Sequence, residues 1–373
     1  MVSRRRLLQV LAVPSLQKQG IRSRVVRDVN GAALHVLEAG YDRGARRPAV
    51  MLLHGFPELA YSWRKVLPAL AAAGFHAIAP DLRGYGRSSG AGVGFDDDLR
   101  PFRTFNEVKD VVSLVSALGY EKAAVVGHDF GSPLAAWCAV MHPEIFTRVV
   151  LMSAPYGGAG GGDRVYEELG TLQPPRKHYQ KYFATREANE NMWHAKQGLR
   201  AFLRAYYHMK SADWKQNKPF ALGSWSAAEL AKLPRYYVMD RDLGMAETVA
   251  TEMPSAGEIA RCQWLTEYEL GVYASEYGRT GFQGGLNRYR VRWVPELNAE
   301  MRKFAGRTID IPAMFIAGAS DWGIHQRPGA LEAMEKTACT KFRGMHLVAG
   351  AGHWVQQEQP DAVNRLLVSF LRD

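Results

Sequence analysis

The stretch AAVVGHDFGSPLAAWCAVM, residues 123–141, decides the fold. Four apolar residues, Ala123, Ala124, Val125 and Val126, run into Gly127-His128-Asp129-Phe130-Gly131, and a helical stretch follows until His142-Pro143 stops it. Glycines two positions either side of a central residue permit a sharp strand-turn-helix elbow, which holds that residue clear of a sheet at a helix N-terminus. The central residue here is Asp129. Backbone N–H groups and the helix dipole at such a point keep a carboxylate ionised at neutral pH, which suits it to attack carbon. Capping the helix is the plainer role for an aspartate there, so the rest of the chain has to choose.

Outward from the elbow, strands and helices alternate. Residues 24–37, with a turn at Asn30-Gly31, read as a β-hairpin. Residues 49–53, AVMLL, are apolar throughout, as buried parallel strands are, and end in His54-Gly55-Phe56-Pro57. A helix is expected over 62–73, a strand over 75–79 opening into PDLRGYGRSS at 80–89, a helix over 107–118, and a strand over 148–152. The sheet resumes at 312–317 and gives out at Gly318-Ala319-Ser320-Asp321-Trp322. Residues 346–348 form a last short strand running into Gly350-Ala351-Gly352-His353-Trp354, and a helix over 361–371 ends the chain. This alternation is that of an α/β, mostly parallel, doubly wound sheet, whose ligands sit at the carboxyl ends of the strands.

Between the two halves the pattern changes. Residues 157–162 are almost pure glycine, and helices and loops follow. Eleven of the 16 tyrosines and five of the nine tryptophans fall between 157 and 297, as expected of an inserted, mainly helical lid packed through its rings. The expected organisation is a basic extension at 1–23, a core at 24–156 and 298–373, and the lid at 157–297.

At 373 residues the chain exceeds what one core usually serves, in keeping with two units. The net charge of +10 suggests nucleic acid until it is located. Ten Lys and Arg against Asp28, Glu38 and Asp42 give residues 1–47 a charge of +7, which leaves +3 for the remainder. No basic and aromatic stripe suits nucleic acid. Cys138, Cys262 and Cys339 are odd in number and widely spaced, which points to a reducing, cytoplasmic setting without a disulfide frame or zinc knot. No apolar run approaches the roughly 18 residues of a membrane span, so stable membrane insertion is not expected. Arg4-Arg5-Arg6 ahead of a short apolar run at 9–16 faintly resembles a twin-arginine export signal, but Pro14 breaks the run and no cleavage site is clear.

Asp129, Asp321 and His353 follow one another in the order nucleophile, acid, base, each just after an expected strand. His353 would serve as general base, with Asp321 fixing its tautomer. The turn after the strand at 49–53 would bring the N–H of Phe56 beside that of Phe130 as an oxyanion hole. No metal-ligand spacing occurs among the 11 histidines, and neither metal nor cofactor is expected.

With these residues assembled, the chain resembles the epoxide hydrolase branch of the α/β-hydrolase superfamily over about residues 24–372. The resemblance is carried by HGFPELAYSWR at 54–64, DLRGYGRSS at 81–89, GHDFGS at 127–132 and GHWVQQEQP at 352–360. YQKYF at 179–183 and GFQGGLNRYR at 281–290 resemble the family's two lid tyrosine segments. The resemblance implies that Tyr179 and Tyr289 donate hydrogen bonds to the epoxide oxygen, with Tyr182 as the competing choice. It also implies substrate contacts in the matched motifs, at His54, Pro57, Trp63, Phe130 and Trp354, and an apolar epoxide and water as the reactants. A homodimer is compatible with this reading and nothing in the sequence selects it. One departure is Phe130, where the family commonly has Trp. Haloalkane dehalogenases share the triad but hold the departing halide with an indole N–H that Phe130 lacks. A serine-type esterase is disfavoured because Asp129 is no hydroxyl nucleophile, and a non-catalytic binder on this fold would not need the intact triad.

Overall fold

The computed structural model describes residues 16–42, 46–157 and 162–373. The Arg4-Arg5-Arg6 stretch and most of the glycine run lie outside the described residues. An eight-stranded sheet forms the centre, in the order β1 (Arg22–Val29), β2 (Ala32–Ala39), β4 (His76–Pro80), β3 (Ala49–Leu53), β5 (Ala123–His128), β6 (Phe146–Met152), β9 (Ala313–Gly318) and β10 (Phe342–Val348). β1 pairs antiparallel with β2, and β2 antiparallel with β4; every other pairing in this sheet is parallel. The opening hairpin turns on Asn30 and Gly31, both left-handed with φ of 48° and 72°, the geometry a tight hairpin requires.

β3, β4, β5 and β9 are buried along their whole length, which is why they read as continuous apolar runs. Helix α1 (Leu67–Ala72), α2 (Thr104–Ala117) and α3 (Gly131–Met141) cover the sheet. α3 packs on β5 and β6 and also meets α2, and most of its residues are buried, so it needs no polar face. The helix expected over 62–73 is divided. A 3-10 turn spans Ala60–Trp63, and α1 restarts at Leu67 because Pro68 can open a helix but not continue one.

The lid lies between β6 and β9. Its principal helices are α4 (Tyr179–Phe183), α5 (Leu199–Lys210), α6 (Glu267–Thr280) and α7 (Gln283–Val291). It also holds a two-stranded antiparallel sheet of β7 (Arg176–His178) and β8 (Val238–Asp240), which the helical expectation did not include. Arg64, on the core, clamps the lid: its Nε donates to Glu269 Oε1 at 2.8 Å and its Nη1 to Gln357 Oε1 at 2.7 Å. Glu269 is also the third-residue partner, in the first turn, in the capping box of Thr266 that starts α6. The chain ends in α8 (Pro360–Arg372), whose Val363, Leu367, Phe370 and Leu371 are buried. No helix among the described residues is long and apolar enough to cross a membrane.

Candidate active site

Parallel register aligns the ends of five strands. Leu53 pairs with Gly127, His128 with Met152, Met152 with Ile316 and Gly318 with Val348, so the loops after β3, β5, β6, β9 and β10 all open on one edge. Asp129 sits at the tip of the elbow with φ of 52°, a left-handed conformation that is strained for a residue with a side chain. The flanking glycines make the elbow sterically feasible. A Cβ on Gly127 would fall 1.9 Å from the carbonyl oxygen of Gly131. Gly55 serves the site in the same way, since a Cβ there would lie 2.3 Å from Asp129 Oδ1.

The two oxygens of Asp129 are held differently. Oδ1 accepts from the backbone N–H of Phe56 at 2.9 Å, while Oδ2 lies 3.1 Å from His353 Nε2. The other ring nitrogen, His353 Nδ1, faces both oxygens of Asp321 at 3.1 and 3.2 Å. Asp321 is anchored in turn by the N–H of Gly323 at 2.7 Å. Burial would raise the Asp129 carboxyl, but the hydrogen bond and charge of His353, with Lys210 and His128 behind it, hold it far below the ordinary carboxylate range. Asp321 is also held down, by His353 and Gly323 against burial. Burial and Lys210 pull the His353 imidazole down, yet the two flanking carboxylates prevail and raise it. Asp129 is therefore an ionised carboxylate with the His353 ring beside its Oδ2.

The lid supplies a phenol to the cleft. A cavity of about 190 Å³ is lined by Asp129, Phe130, Tyr179, Gln180, Arg292 and Arg327, among others. The Tyr179 hydroxyl accepts from Gln180 Nε2 at 3.1 Å. Burial and then the charge of Asp129 push its pKa well up, so it stays a proton-bearing donor. Tyr289 is enclosed beside it, its ring 4.4 Å from that of Phe130 and 6.0 Å from that of Tyr179, and burial, Tyr179 and Asp129 likewise raise it. Tyr182 is placed elsewhere: its ring meets Lys177 at 4.6 Å, and the acids near it are Glu187 and Glu247 rather than Asp129.

Of the five expected substrate contacts, Phe130 alone lines this cavity. His54 is fully buried. The N–H of Leu82 donates to its Nε2 at 3.0 Å, so Nδ1 carries the proton and donates to the carbonyl of Gly55 at 2.8 Å. Both ring nitrogens are engaged in shaping the loop. Trp63 is fully buried in the core, and Trp354 is fully buried with its indole N–H on the carbonyl of Tyr207 at 2.9 Å. The carbonyl of Pro57 accepts from the Tyr207 hydroxyl at 2.9 Å. None of these four side chains lines the cavity.

Sequence reasoning missed a layer of polar residues. Glu58, fully buried, faces His128 Nδ1 at 2.6 Å and accepts from the side-chain amides of Gln356 and Gln357, both at 2.9 Å. His128 Nε2 lies 2.6 Å from the carbonyl of His353. Glu358 accepts the N–H groups of Gly352 and Trp354, both at 2.9 Å, on either side of His353, and that of Ala212 from the lid at 2.8 Å. Glu58, Gln356, Gln357 and Glu358 stand inside the motifs quoted above, so that membership was the available signal. Lys210 lies in no such motif. Among the described residues no cluster of His, Cys, Asp and Glu could hold a metal ion.

Comparison with known proteins defines the class first. The family model described as alpha/beta hydrolase fold matches residues 48–242. "Epoxide hydrolase B" of Mycobacterium tuberculosis is 34% identical over 341 residues, covering 87% of this chain and 91% of the relative. "Epoxide hydrolase A" of the same organism is 33% identical, covering 92% and 95%. Among solved structures, an epoxide hydrolase from an endophytic Streptomyces superposes with a TM-score of 0.77 at 34% identity, over 95% of this chain and 96% of the other. Potato (Solanum tuberosum) epoxide hydrolase I gives 0.73 at 28% identity, over 94% and 99%. The chain belongs to the epoxide hydrolases of the α/β-hydrolase superfamily.

Proposed function

We propose that the chain hydrolyses epoxides to vicinal diols through an ester formed on Asp129. The observation that carries this is the division of labour between the carboxylate oxygens: Oδ1 in contact with the Phe56 N–H, Oδ2 beside His353. Oδ2 attacks an epoxide carbon from behind while Tyr179 and Tyr289 hydrogen-bond the ring oxygen and protonate it as the bond breaks. Oδ1 remains the carbonyl oxygen of the ester, already in place for the charge it acquires next. His353, oriented by Asp321, takes a proton from water, the hydroxide adds to Cγ of Asp129, and the N–H groups of Phe56 and Phe130 hold the oxyanion. Collapse breaks the Cγ–Oδ2 bond, and the diol leaves with the former Oδ2, which takes its proton from the His353 imidazolium.

The fully buried phenols suit the opening of a strained ether, and the phenyl ring of Phe130 offers no N–H for a departing halide. The substrate is a small, largely apolar epoxide that reaches the cleft from the lid side, with water as co-reactant. Purified protein incubated with styrene oxide should release phenyl-1,2-ethanediol and should release no chloride from 1-chlorobutane. Chloride release without diol formation would overturn the proposal.

A further inference from the structure

Lys210, the last residue of α5, is 3% exposed. Its ammonium sits in a box of four rings, 5.1 Å from the centroid of Tyr237, 5.3 Å from Trp354, 5.4 Å from Tyr206 and 6.0 Å from Tyr236. Ring faces at such distances stabilise a cation that has left water. Asn217 fixes the box, donating to the carbonyls of Met209 and Ser211 on either side of Lys210 and accepting from the Tyr236 hydroxyl at 3.0 Å. The lysine is coupled to the catalytic base by its backbone as well, since the N–H of His353 donates to its carbonyl at 2.8 Å, and Trp354 touches both side chains. A long aliphatic side chain would have filled this space without the cost of burying a charge, so the charge needs a reason.

We propose that Lys210 is the fixed cation that keeps His353 uncharged once Asp129 has been alkylated, leaving the imidazole able to take a proton from water. The inference rests on the covalent route proposed above. Charge counting in the buried site carries it. The groups around His353 are Asp321 from the loop after β9, Asp129 from the elbow, His128 from β5, with its ring 5.0 Å away, and Lys210 from α5. Around Lys210 are Asp129, Asp321 and Glu58, and Glu58 is already engaged by His128, Gln356 and Gln357.

In the resting site two carboxylates, Asp129 and Asp321, are balanced by the Lys210 ammonium and a protonated His353. Ring opening forms the bond from Asp129 Oδ2 to carbon and breaks a carbon–oxygen bond of the epoxide. The alkoxide gains one proton by way of a lid phenol, and loss of the imidazolium proton supplies it overall. The ester state then holds Asp321, Lys210 and a neutral His353, again without net charge. Without the ammonium, Asp321 would have only His353 to balance it, and a buried site would favour the imidazolium, which cannot act as a base.

The test separates formation of the adduct from its decay, by rapid quenching with radiolabelled styrene oxide between pH 5 and 9. In Lys210→Met and Lys210→Gln the adduct should form within about threefold of the native rate. The acid limb of its decay should move up by one pH unit or more, so that below both limbs decay is at least about tenfold slower. Lys210→Arg should return the limb towards its native position, a rescue that loss of packing alone would not give. An acid limb within 0.3 unit of native in both neutral variants overturns the inference. A second measurement does not depend on a change at Lys210: in Asp129→Asn, whose neutral side chain stands for the ester, the His353 ring should be neutral at pH 7 by NMR, and an imidazolium there overturns it equally. Failure of the native protein to form any adduct would instead overturn the covalent route itself.

Discussion

Replacing Tyr179 and Tyr289 with phenylalanine removes two hydroxyls and little else. The ring of Tyr289 is held by Phe130 at 4.4 Å, Phe183 at 5.0 Å and Phe56 at 5.7 Å, and that of Tyr179 by Tyr237 at 5.3 Å and Phe183 at 5.5 Å, contacts that a phenyl ring keeps. The loss should therefore fall on the barrier. A donor aimed at developing negative charge is typically worth about 2.7–4 kcal/mol, roughly 10²–10³ in rate. Each single variant should slow formation of the adduct by about that factor, and the double variant should slow it beyond either. Burial keeps both phenols protonated across the working range, so the loss should not vary between pH 6 and 9. The assay is single-turnover alkylation by styrene oxide, with thermal unfolding in parallel. Adduct formation at the native rate in the double variant would refute the assignment. A melting temperature depressed by many degrees would show that the hydroxyls act in packing instead.

Three further outcomes follow from particular contacts. His353→Gln should alkylate and then stall, so that intact-protein mass rises by the mass of the substrate; turnover at the native rate would contradict the assignment of the base. Gly127→Ala places a Cβ 1.9 Å from a backbone oxygen, an overlap that should cost at least about 3 kcal/mol in urea unfolding, and native stability with full activity would contradict the elbow geometry. Asp81 accepts the N–H of Ala60 at 2.8 Å and of Arg87 at 3.1 Å and faces His35 at 2.8 Å, and these partners outweigh burial and lower its pKa from 3.8 to about 2. A depressed carboxyl stabilises the fold above its unfolded pKa, and that contribution is lost as pH falls through its folded pKa. Asp81→Asn should thus be less stable by about 2 kcal/mol at neutral pH, with the gap narrowing from pH 4 downward. A gap independent of pH would contradict this.

The parts of the fold that could be read in the sequence are those in which local pattern and burial agree. β3 and β5 are covered on both faces, so their apolar runs stand out. The elbow declares itself because its backbone tolerates only glycine at the flanks. The helix expected over 62–73 failed where one residue, Pro68, outweighs periodicity. β7, Arg-Lys-His, carries no strand signal at all, and pairs with β8 across some sixty residues only after the lid has closed on itself. At the site, chain order and strand ends brought Asp129, Asp321 and His353 together correctly in space. His54 and Trp354, expected as substrate contacts, have their ring nitrogens taken up by the protein, because a motif gives a residue's neighbourhood without saying which of its atoms are already engaged. Lys210 was invisible for a related reason, since its box is drawn from α5, from the pair Tyr236-Tyr237 and from the loop after β10, and only the folded chain joins them.

Isotope labelling bears most directly on whether Asp129 becomes bonded to its substrate. The protein, in excess over styrene oxide in water enriched in oxygen-18, should complete one turnover and then be digested, and the peptide bearing Asp129 weighed. A gain of two mass units in that peptide, with the first diol released unlabelled, is the expected result. Label in the diol and none in the peptide would mean that water attacks the epoxide directly, and Asp129 would not be the nucleophile.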